Sequence, residues 1–230
     1  MKRFYKDVST CEKGDMFTVL LDGKNIKTPQ KSLCLMPTLA MAKAIAKEWD
    51  AQDKDIDPAL MPLTKLMNTA IDRIGARRNE IIDELVEFAG SDQLCYRAEN
   101  PQKLVDLQNK IWDPLLKRMH ENHSVDLKLT AGIIFQEQDL EQLLKIRKLI
   151  EKIESFALMA FYGMTTVCGS VTIGFNLFEG HISIDEAWEA GHLDENFQVS
   201  QWGCDYEAED RRANLKAELE NAARFLSLCR

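Results

Sequence analysis

The stretch QWGCDYEAEDRR, residues 201–212, combines residue types that could do chemistry. It holds four acidic residues, two arginines, a tryptophan and a cysteine. Carboxylates in different environments can act as general acid and base, so a hydrolase built on Asp205, Glu207 and Glu209 is one interpretation. A second is the acidic first turn of a helix, with solvated ion pairs such as Glu207 to Arg211. A third is a surface that binds another protein, and spacing alone leaves all three open.

Other motifs for catalysis and metal binding are weak. There is no GxGxxG or GxSxG motif, and GSVTIG lacks the Lys-Ser/Thr pair of a phosphate-binding loop. Its glycines are therefore predicted to let helices pack closely. His120 and His123 lack the HExxH order, and we expect them, His181 and His192 to be solvated. The six cysteines contain no CxxC pair, so we expect free thiols, no metal and no cofactor. Together these patterns predict a protein that is not an enzyme.

Charge excludes some kinds of partner and leaves one question about membranes. The 29 basic and 37 acidic residues give a net charge of −8, which disfavours nucleic acid and anionic lipid. Residues 155–178 carry no charge and are long enough to span a bilayer. Because glycines, threonines and serines dilute them and their flanks are acidic, they predict a buried helix or helix pair in a soluble protein. A membrane-associated factor is the alternative.

The order of patterns predicts an α+β protein. The first ~37 residues suggest strands, because FTVLL precedes the turn Asp22-Gly23 and SLCLM then alternates with period two. Thr38 can cap a helix whose apolar face is formed by Leu39, Ala42, Ile45, Ala46 and Trp49. Pro58 and Pro62 then mark a domain junction. We expect a small α+β N-terminal domain, residues 1–60, followed by a larger all-α helical bundle, residues 61–230.

The helices of the second part are bounded by familiar signals. Thr64 is a candidate cap and Gly75 a candidate stop, and Asn100 is expected to cap a helix that begins at Pro101. Pro114 should kink that helix, or restart it with Asp113 as a new cap. Apolar residues at helical spacing define three further faces: Ile82, Leu85 and Ala89; Leu140, Leu143, Leu144, Ile150 and Ile153; and Leu215, Leu219, Ala222 and Leu226.

A series of segments in this order resembles one family, the ATP synthase assembly chaperones that bind the alpha subunit of the catalytic F(1) sector. The resemblance runs from Arg3 to about Arg212 and is only loose between about Lys117 and Ile153. Gln93 departs from the pattern, because an apolar residue is expected before LCYRA. The segments are RFYKDVS, LDGKNIKTP, AIAKEWDAQ, IDPALMPLTKLMNTAIDR, SDQLCYRAENP, WDPLL and DEAWEAGHLDENFQVSQWGCDYEAEDRR.

The resemblance implies an α+β N-terminal domain, a helical C-terminal domain and a role without catalysis. The expected partner is unassembled alpha subunit, which the chaperone keeps from aggregating and releases to the beta subunit. It implies no nucleotide or metal, no membrane span and a monomer when free. The expected location is the bacterial cytoplasm, or the mitochondrial matrix for a processed form. A protein-interaction adaptor with another client is the alternative.

The resemblance also assigns roles to residues. The acids of WGCDYEAEDRR become candidates for binding the partner, above all Glu207. Trp202 stands beside Gly203 in a predicted loop, where it could pack against that partner. The expected partner-binding residues are Glu207, Asp205, Trp202 and Arg211, and the family-motif residues expected to be structural are Trp49, Arg97 and Asp113.

Overall fold

The structure is a computed structural model that describes residues 1–132, 135–203 and 206–230, the side chains of Ala76 and Tyr206 excepted. It contains a small N-terminal sheet followed by a long series of helices, so the predicted α+β class with a helical C-terminal part is confirmed. The chain forms two compact units, and the domain boundary at residue 60 stays a prediction. Unit 1 comprises Met1–Arg78, Glu154–Ala160 and Asn221–Arg230, and unit 2 comprises Asn79–Ile153 and Phe161–Glu220.

Unit 1 begins with an antiparallel sheet in the order β1-β2-β3. Glycine at a positive φ allows each tight turn, Gly14 at φ 64° and Gly23 at φ 78°. The Asp22 carboxylate accepts hydrogen bonds from the backbone N–H groups of Asp7 and Lys6, which lower its pKa and fix the second turn. The strands are β1 (Val8–Lys13), β2 (Met16–Leu21) and β3 (Lys24–Asn25).

The SLCLM segment meets the sheet through isolated bridges and through single hydrogen bonds, such as the one of 2.9 Å from the Thr18 hydroxyl to the Cys34 carbonyl. Met36 exchanges backbone hydrogen bonds of 2.8 and 2.9 Å with Phe17. The alternation is present, but the buried side chains are Cys34 and Met36, whereas Leu33 is exposed. Backbone pairing with β2 decides which side of this segment faces the core, and hydropathy alone points to the wrong side.

The first helix, α1 (Leu39–Asp50), begins where the sequence predicts. The Thr38 hydroxyl accepts a hydrogen bond of 3.0 Å from the Met41 N–H, which confirms Thr38 as the cap. The predicted apolar face is only partly correct, because Leu39 is exposed. The residues buried on α1 are Met41, Ala42, Ala44 and Ile45.

The next helix, α2 (Pro62–Thr69), corrects the predicted cap at Thr64. Pro62 is the first helical residue, and Thr64 lies inside the first turn. The cap comes from α1, because the Glu48 carboxylate accepts bonds of 2.8 Å from the N–H groups of Leu63 and Thr64 and one of 2.7 Å from the Thr64 hydroxyl. Glu48 thus satisfies the free donors at the start of α2.

Gly75 begins a helix and does not end one, which is a second correction. A π-helical turn, Ala70–Ile74, connects α2 directly to α3 (Gly75–Gly90), and α3 bends at Arg77. Continuous backbone hydrogen bonding outweighs the low helix propensity of one glycine here. The predicted stripe on α3 and its end at Gly90 are confirmed, since Ile82, Leu85 and Ala89 are all buried.

Unit 2 is built around α4 (Gln102–His123). The cap position of α4 is Pro101, one residue after the predicted cap Asn100. Pro114 neither stops nor restarts the helix, so Asp113 is not a cap. The helix continues because Trp112 and Leu115, on either side of this site, are buried and hold it in place. Two short parallel strands, β4 (Tyr96–Arg97) and β5 (Thr130–Ala131), flank α4 in sequence.

The uncharged segment forms two helices, as predicted. After α5 (Leu140–Glu151), helix α6 (Ser155–Cys168) ends at Gly169, whose φ of 64° breaks the helix, and α7 (Val171–Phe178) follows. Within the described ranges, no helix is long and apolar enough to cross a membrane. On α5 the predicted face is partly wrong, because Ile146 and Ile150 are buried whereas Leu140 and Leu144 are exposed.

Two helices and the first part of a third, up to Glu220, complete unit 2 and lead to the stretch on which the functional interpretation depends. The rest of the third helix, from Asn221, belongs to unit 1. Ser183 and Glu186 form a reciprocal capping box at the start of the first of these three helices. On the last helix, Leu219, Ala222 and Leu226 are buried as predicted, and Leu215 is half-buried. The helices are α8 (Ile184–Gly191), α9 (Leu193–Trp202) and α10 (Tyr206–Cys229).

Candidate protein-interaction surface

Trp202 is presented to solvent at the last position of α9. Its side chain is 79% exposed, the most exposed large apolar residue of the described chain. Gly203 follows at φ 81° and ψ 178°, a conformation that only glycine adopts readily, so the helix ends there abruptly. The exposure predicted for Trp202 is confirmed, and a large aromatic side chain in this position is typical of a binding anchor.

Glu207 lies in the first turn of α10, and its side chain is exposed. Across the described ranges its carboxylate has no ion-pair partner. Glu209 and Asp210 are exposed on the same helix. We call the exposed side chains of Trp202, Glu207, Glu209 and Arg211 the α9–α10 surface. Asp205 and Cys204 lie outside the described residues.

The arginines of this stretch bind an acid on α9, which corrects the predicted pairing with Glu207 and Glu209. One Glu195 oxygen accepts a bond of 2.6 Å from Arg211, and the other lies 2.7 Å from Arg212. Arg212 also donates to the side-chain oxygen of Asn196. These contacts tie the start of α10 to α9 and leave the acids of α10 free to face outward.

A stack of side chains continues this contact into α8. The Arg212 guanidinium lies 5.5 Å from the Trp188 ring, and that ring stacks on His192 at 3.7 Å. Burial lowers the pKa of His192, so the imidazole is held neutral. We call Glu195, Arg211, Arg212, Trp188 and His192 the Glu195 cluster; its function is to hold α8, α9 and α10 together.

A shallow apolar groove of about 200 Å³ lies on the same unit beside α9. Leu193 and Phe197, one helical turn apart, form its α9 side, and Leu107 and Ile111 form its α4 side. Phe197 and Trp202 belong to the same helix, five residues apart.

The acids of α10 that the structure describes are exposed. Glu207, Glu209 and Asp210 all face solvent along one helix. Among the described residues, no group of three His, Cys, Asp or Glu side chains could hold a metal ion. An exposed acidic turn beside an exposed tryptophan is suited to recognition of a basic protein surface.

The histidines are less solvated than the sequence suggests. His120 and His181 are exposed, but His123 is largely buried and its ring lies 2.8 Å from the Glu179 carboxylate. His192 is half-buried in the Glu195 cluster. Tertiary packing of α4 and α7 places His123 beside Glu179, which spacing within the sequence does not reveal.

The family-motif residues occupy two separate places. Arg97 and Asp113 form an ion pair of 2.8 Å, and the Arg97 guanidinium lies 5.3 Å from the ring of Trp112. Trp49 lies in unit 1, where its ring meets Tyr5 edge-on at 5.7 Å and its carbonyl accepts a bond of 2.6 Å from the Tyr5 hydroxyl. None of these three belongs to the α9–α10 surface.

Two buried polar contacts were not expected from the sequence. The fully buried Asp92 carboxylate accepts bonds of 2.9 to 3.1 Å from the Ser170 hydroxyl and from the N–H groups of Leu94 and Thr172. Gln93, where an apolar residue is expected, donates from Nε2 to the Gly191 carbonyl at 2.9 Å. Both residues connect SDQLCYRAENP to other helices, so the only available signal was their place in a family motif.

Comparisons with known proteins agree with this architecture. A family model described as ATP12 chaperone protein matches residues 2–120. The mitochondrial protein atp12 of Schizosaccharomyces pombe is 28% identical over 241 residues, covering 99% of this chain and 82% of the yeast protein. The chain therefore belongs to a family of chaperones, the ATP12 chaperone family.

Solved structures give the same result. The crystal structure of Atp12 from Paracoccus denitrificans matches with a TM-score of 0.95 and 35% identity, covering 100% of this chain and 98% of that one. An aspartate-to-lysine mutant of the same protein matches equally well. A protein from Agrobacterium tumefaciens matches with a TM-score of 0.94 and 36% identity over 100% and 86% of the two chains. The resemblance found in the sequence is thus confirmed, and with it the class of function, a chaperone of ATP synthase assembly.

Proposed function

We propose that this chain binds the unassembled alpha subunit of the ATP synthase F(1) sector, keeps it from aggregating and releases it to the beta subunit. The observation that carries the proposal is the α9–α10 surface, where an exposed tryptophan ends α9 and the exposed Glu207 carboxylate, which has no ion-pair partner among the described residues, lies in the first turn of α10. We place the protein where F(1) is assembled, in the bacterial cytoplasm or the mitochondrial matrix. It acts as a monomer without nucleotide, metal or catalysis.

The chemistry of the surface is suited to temporary binding. An unassembled alpha subunit exposes the apolar patches and strand edges that it later buries against beta, and such surfaces aggregate. A charged contact accelerates encounter and fixes orientation while adding little net affinity. Release then requires only that beta bind the same surface more tightly, since each ~1.4 kcal/mol shifts the exchange tenfold.

We assign four roles. Glu207 meets a basic group on alpha, Trp202 packs beside that contact, and Asp205, two residues before Glu207 in the sequence, adds negative charge. Arg211, which Glu195 holds at 2.6 Å, positions the first turns of α10 and offers its exposed edge to the client. The Glu195 cluster keeps these side chains in place before the client arrives, which reduces the entropy lost on binding.

Charge reversal at Glu207 tests the proposal. Co-expressed alpha subunit should stay in solution and co-elute with the wild-type chain, and added beta should displace it. Glu207→Lys should reduce retained alpha at least tenfold, because attraction becomes repulsion at a contact of about 1.4 kcal/mol or more. Thermal unfolding should show only a modest loss, on the order of 1 kcal/mol, because the substitution reverses a favourable charge in the first turn of α10 but breaks no ion pair among the described residues.

Glu218→Lys is the matched control. Glu218 is exposed on the same helix three turns away, and the substitution changes the net charge equally. Alpha retention should therefore persist in that variant. Normal retention by a folded Glu207→Lys protein, or equal loss in both variants, would refute the assignment.

A further inference from the structure

The strand β1 has one free edge among the residues that the structure describes. In the order β1-β2-β3 it pairs there with β2 alone. On β2, the Val19 carbonyl accepts a hydrogen bond from the Ile26 N–H. Phe17 exchanges backbone hydrogen bonds with Met36. Both residues of β2 therefore direct their backbone groups away from β1. Their antiparallel partners are Thr10 and Glu12. Because the bonded pairs of an antiparallel ladder alternate, Thr10 and Glu12 turn their own N–H and C=O groups to the free edge.

The first part of this edge lacks the features by which proteins block unwanted strand pairing. From Val8 to Cys11 it carries no charge and no proline, and Ser9 and Cys11 are exposed, whereas Glu12 and Lys13 end the strand with charged side chains. Edge strands are ordinarily protected by lysine, proline, bulges or a covering element. The four uncharged residues therefore leave a short stretch to which another strand can add.

A groove beside the edge shows which side chains an added strand would meet. Its volume is about 330 Å³, and α1 contributes Lys43, Ala46 and Lys47 to its wall. Within the part of the chain that the structure describes, neither lysine has an ion-pair partner. Asp50 also lines the groove but lies 3.6 Å from the Arg3 guanidinium. The groove is thus locally basic on a protein whose net charge is −8.

We propose that β1 binds an extended acidic segment of the client by strand addition. The segment would lie along the free edge at the usual strand spacing of about 4.8 Å and bond to Thr10 and Glu12. Alternate side chains of the segment point toward α1, where carboxylates would meet Lys43 and Lys47 and a small residue would lie over Ala46. The identity of the client rests on the proposed function, whereas the strand-addition site itself does not.

The site is tested with peptides on the full chain. The probe is a fluorescein-labelled octapeptide of alternating valine and aspartate; the comparisons are its valine–lysine counterpart and a version N-methylated at alternate residues. The valine–aspartate peptide should bind in a 1:1 ratio, and each comparison peptide at least tenfold more weakly. Equal binding of the N-methylated peptide would overturn strand addition, since methylation removes only the backbone donors.

Two variants locate the binding. Thr10→Pro removes an N–H group that faces the free edge and leaves the bonds to β2 intact. Lys43→Glu with Lys47→Glu reverses the charge of the groove without touching the strand. Each should weaken binding of the valine–aspartate peptide at least tenfold and leave the circular dichroism spectrum of the chain unchanged. The matched control is Lys54→Glu with Lys65→Glu, two exposed lysines of the same unit, and an equal loss there would overturn the assignment.

Co-expression with alpha connects the site to the client. Thr10→Pro and the Lys43/Lys47 double variant should each retain at least threefold less alpha than wild type. If they lose the peptide but retain alpha normally, the client does not use this edge and that part of the proposal is overturned. A wild-type chain that binds the peptide but retains no alpha would refute the proposed client and leave the site standing. A wild-type dimer that Thr10→Pro converts to a monomer would show that a second copy occupies the edge.

Discussion

Replacing Glu195 with glutamine tests whether the α9–α10 surface is held in place before a client binds. Glutamine keeps the size of the side chain and one acceptor oxygen but removes the charge that two arginines share. Arg211 approaches that carboxylate at 2.6 Å and Arg212 at 2.7 Å. The substitution therefore weakens two contacts between α9 and α10 without creating a cavity.

The magnitude follows from how exposed each pair is. The Arg211 side chain is 62% exposed, so its pair is worth about 0.2–1 kcal/mol. The Arg212 side chain is only 17% exposed, so solvent screens its ion pair with Glu195 less, and the pair should contribute about 1–3 kcal/mol, between the ranges of exposed and buried pairs. Arg212 keeps its contacts with Asn196 and Trp188, so Glu195→Gln should cost about 1–3 kcal/mol in total.

Urea and thermal unfolding measure this cost. For a chain of this length about 1–3 kcal/mol corresponds to a fall of about 2–12 °C in Tm. Arg211→Gln is the matched control and should cost less than about 1 kcal/mol, because it removes only the exposed pair. Retention of alpha should fall in Glu195→Gln, though less than in Glu207→Lys. A Glu195→Gln protein as stable as wild type, or an equal cost for Arg211→Gln, would refute the reasoning.

Two further predictions concern the packing that supports this surface. In Gly191→Ala the new methyl would lie 2.9 Å from the Cys168 Cα, and overpacking should lower the free energy of unfolding by about 1–3 kcal/mol. Gly90→Ala has open space and should be neutral or stabilising in the same urea titration. Burial holds the pKa of His192 in the folded protein below its value in the unfolded chain, which is about 6.5. The contribution of His192 to the free energy of unfolding is therefore fully present above about pH 6.5, and it is lost as the pH falls through the pKa of the folded protein. His192→Gln should therefore lose less stability than wild type between about pH 7.5 and 5, and equal losses would contradict this account.

The fold was predictable where local signals and burial agree. Thr38 caps α1, and the stripe on α3 is buried. Each of these features depends on residues within one helix. The errors fall where a distant residue intervenes. Thr64 reads as a cap, but the carboxylate of Glu48 takes that function. Pro114 reads as a kink or a restart of the helix, and α4 does not restart there because burial of its neighbours outweighs the hydrogen bond that proline removes.

The site was predictable to a more limited extent. A tryptophan before a glycine and an acidic turn suggests exposure, and Trp202 is indeed exposed. Helical spacing suggests that Glu207 pairs with Arg211, and this is wrong because Glu195 competes for the arginine from a neighbouring helix. Contacts between helices depend on how the helices pack, and i,i+4 spacing describes only neighbours on one helix. The same limit applies to the lysines of the β1 groove, since α1 and β1 lie far apart in sequence.

The acids of the family motifs differ in what they bind, and this difference connects structure to function. Glu48 caps α2, Asp92 caps α7 and Glu195 binds two arginines, so each is committed to an intramolecular contact. Glu207 has the same chemistry and an exposed carboxylate with no such contact in the described chain. Replacing one of the first three should cost stability by breaking that contact, whereas replacing Glu207 should cost mainly binding and only the small contribution of its charge to the first turn of α10. A chaperone needs both kinds of acid, because a client-binding carboxylate must stay free while the helices that carry it are held in place.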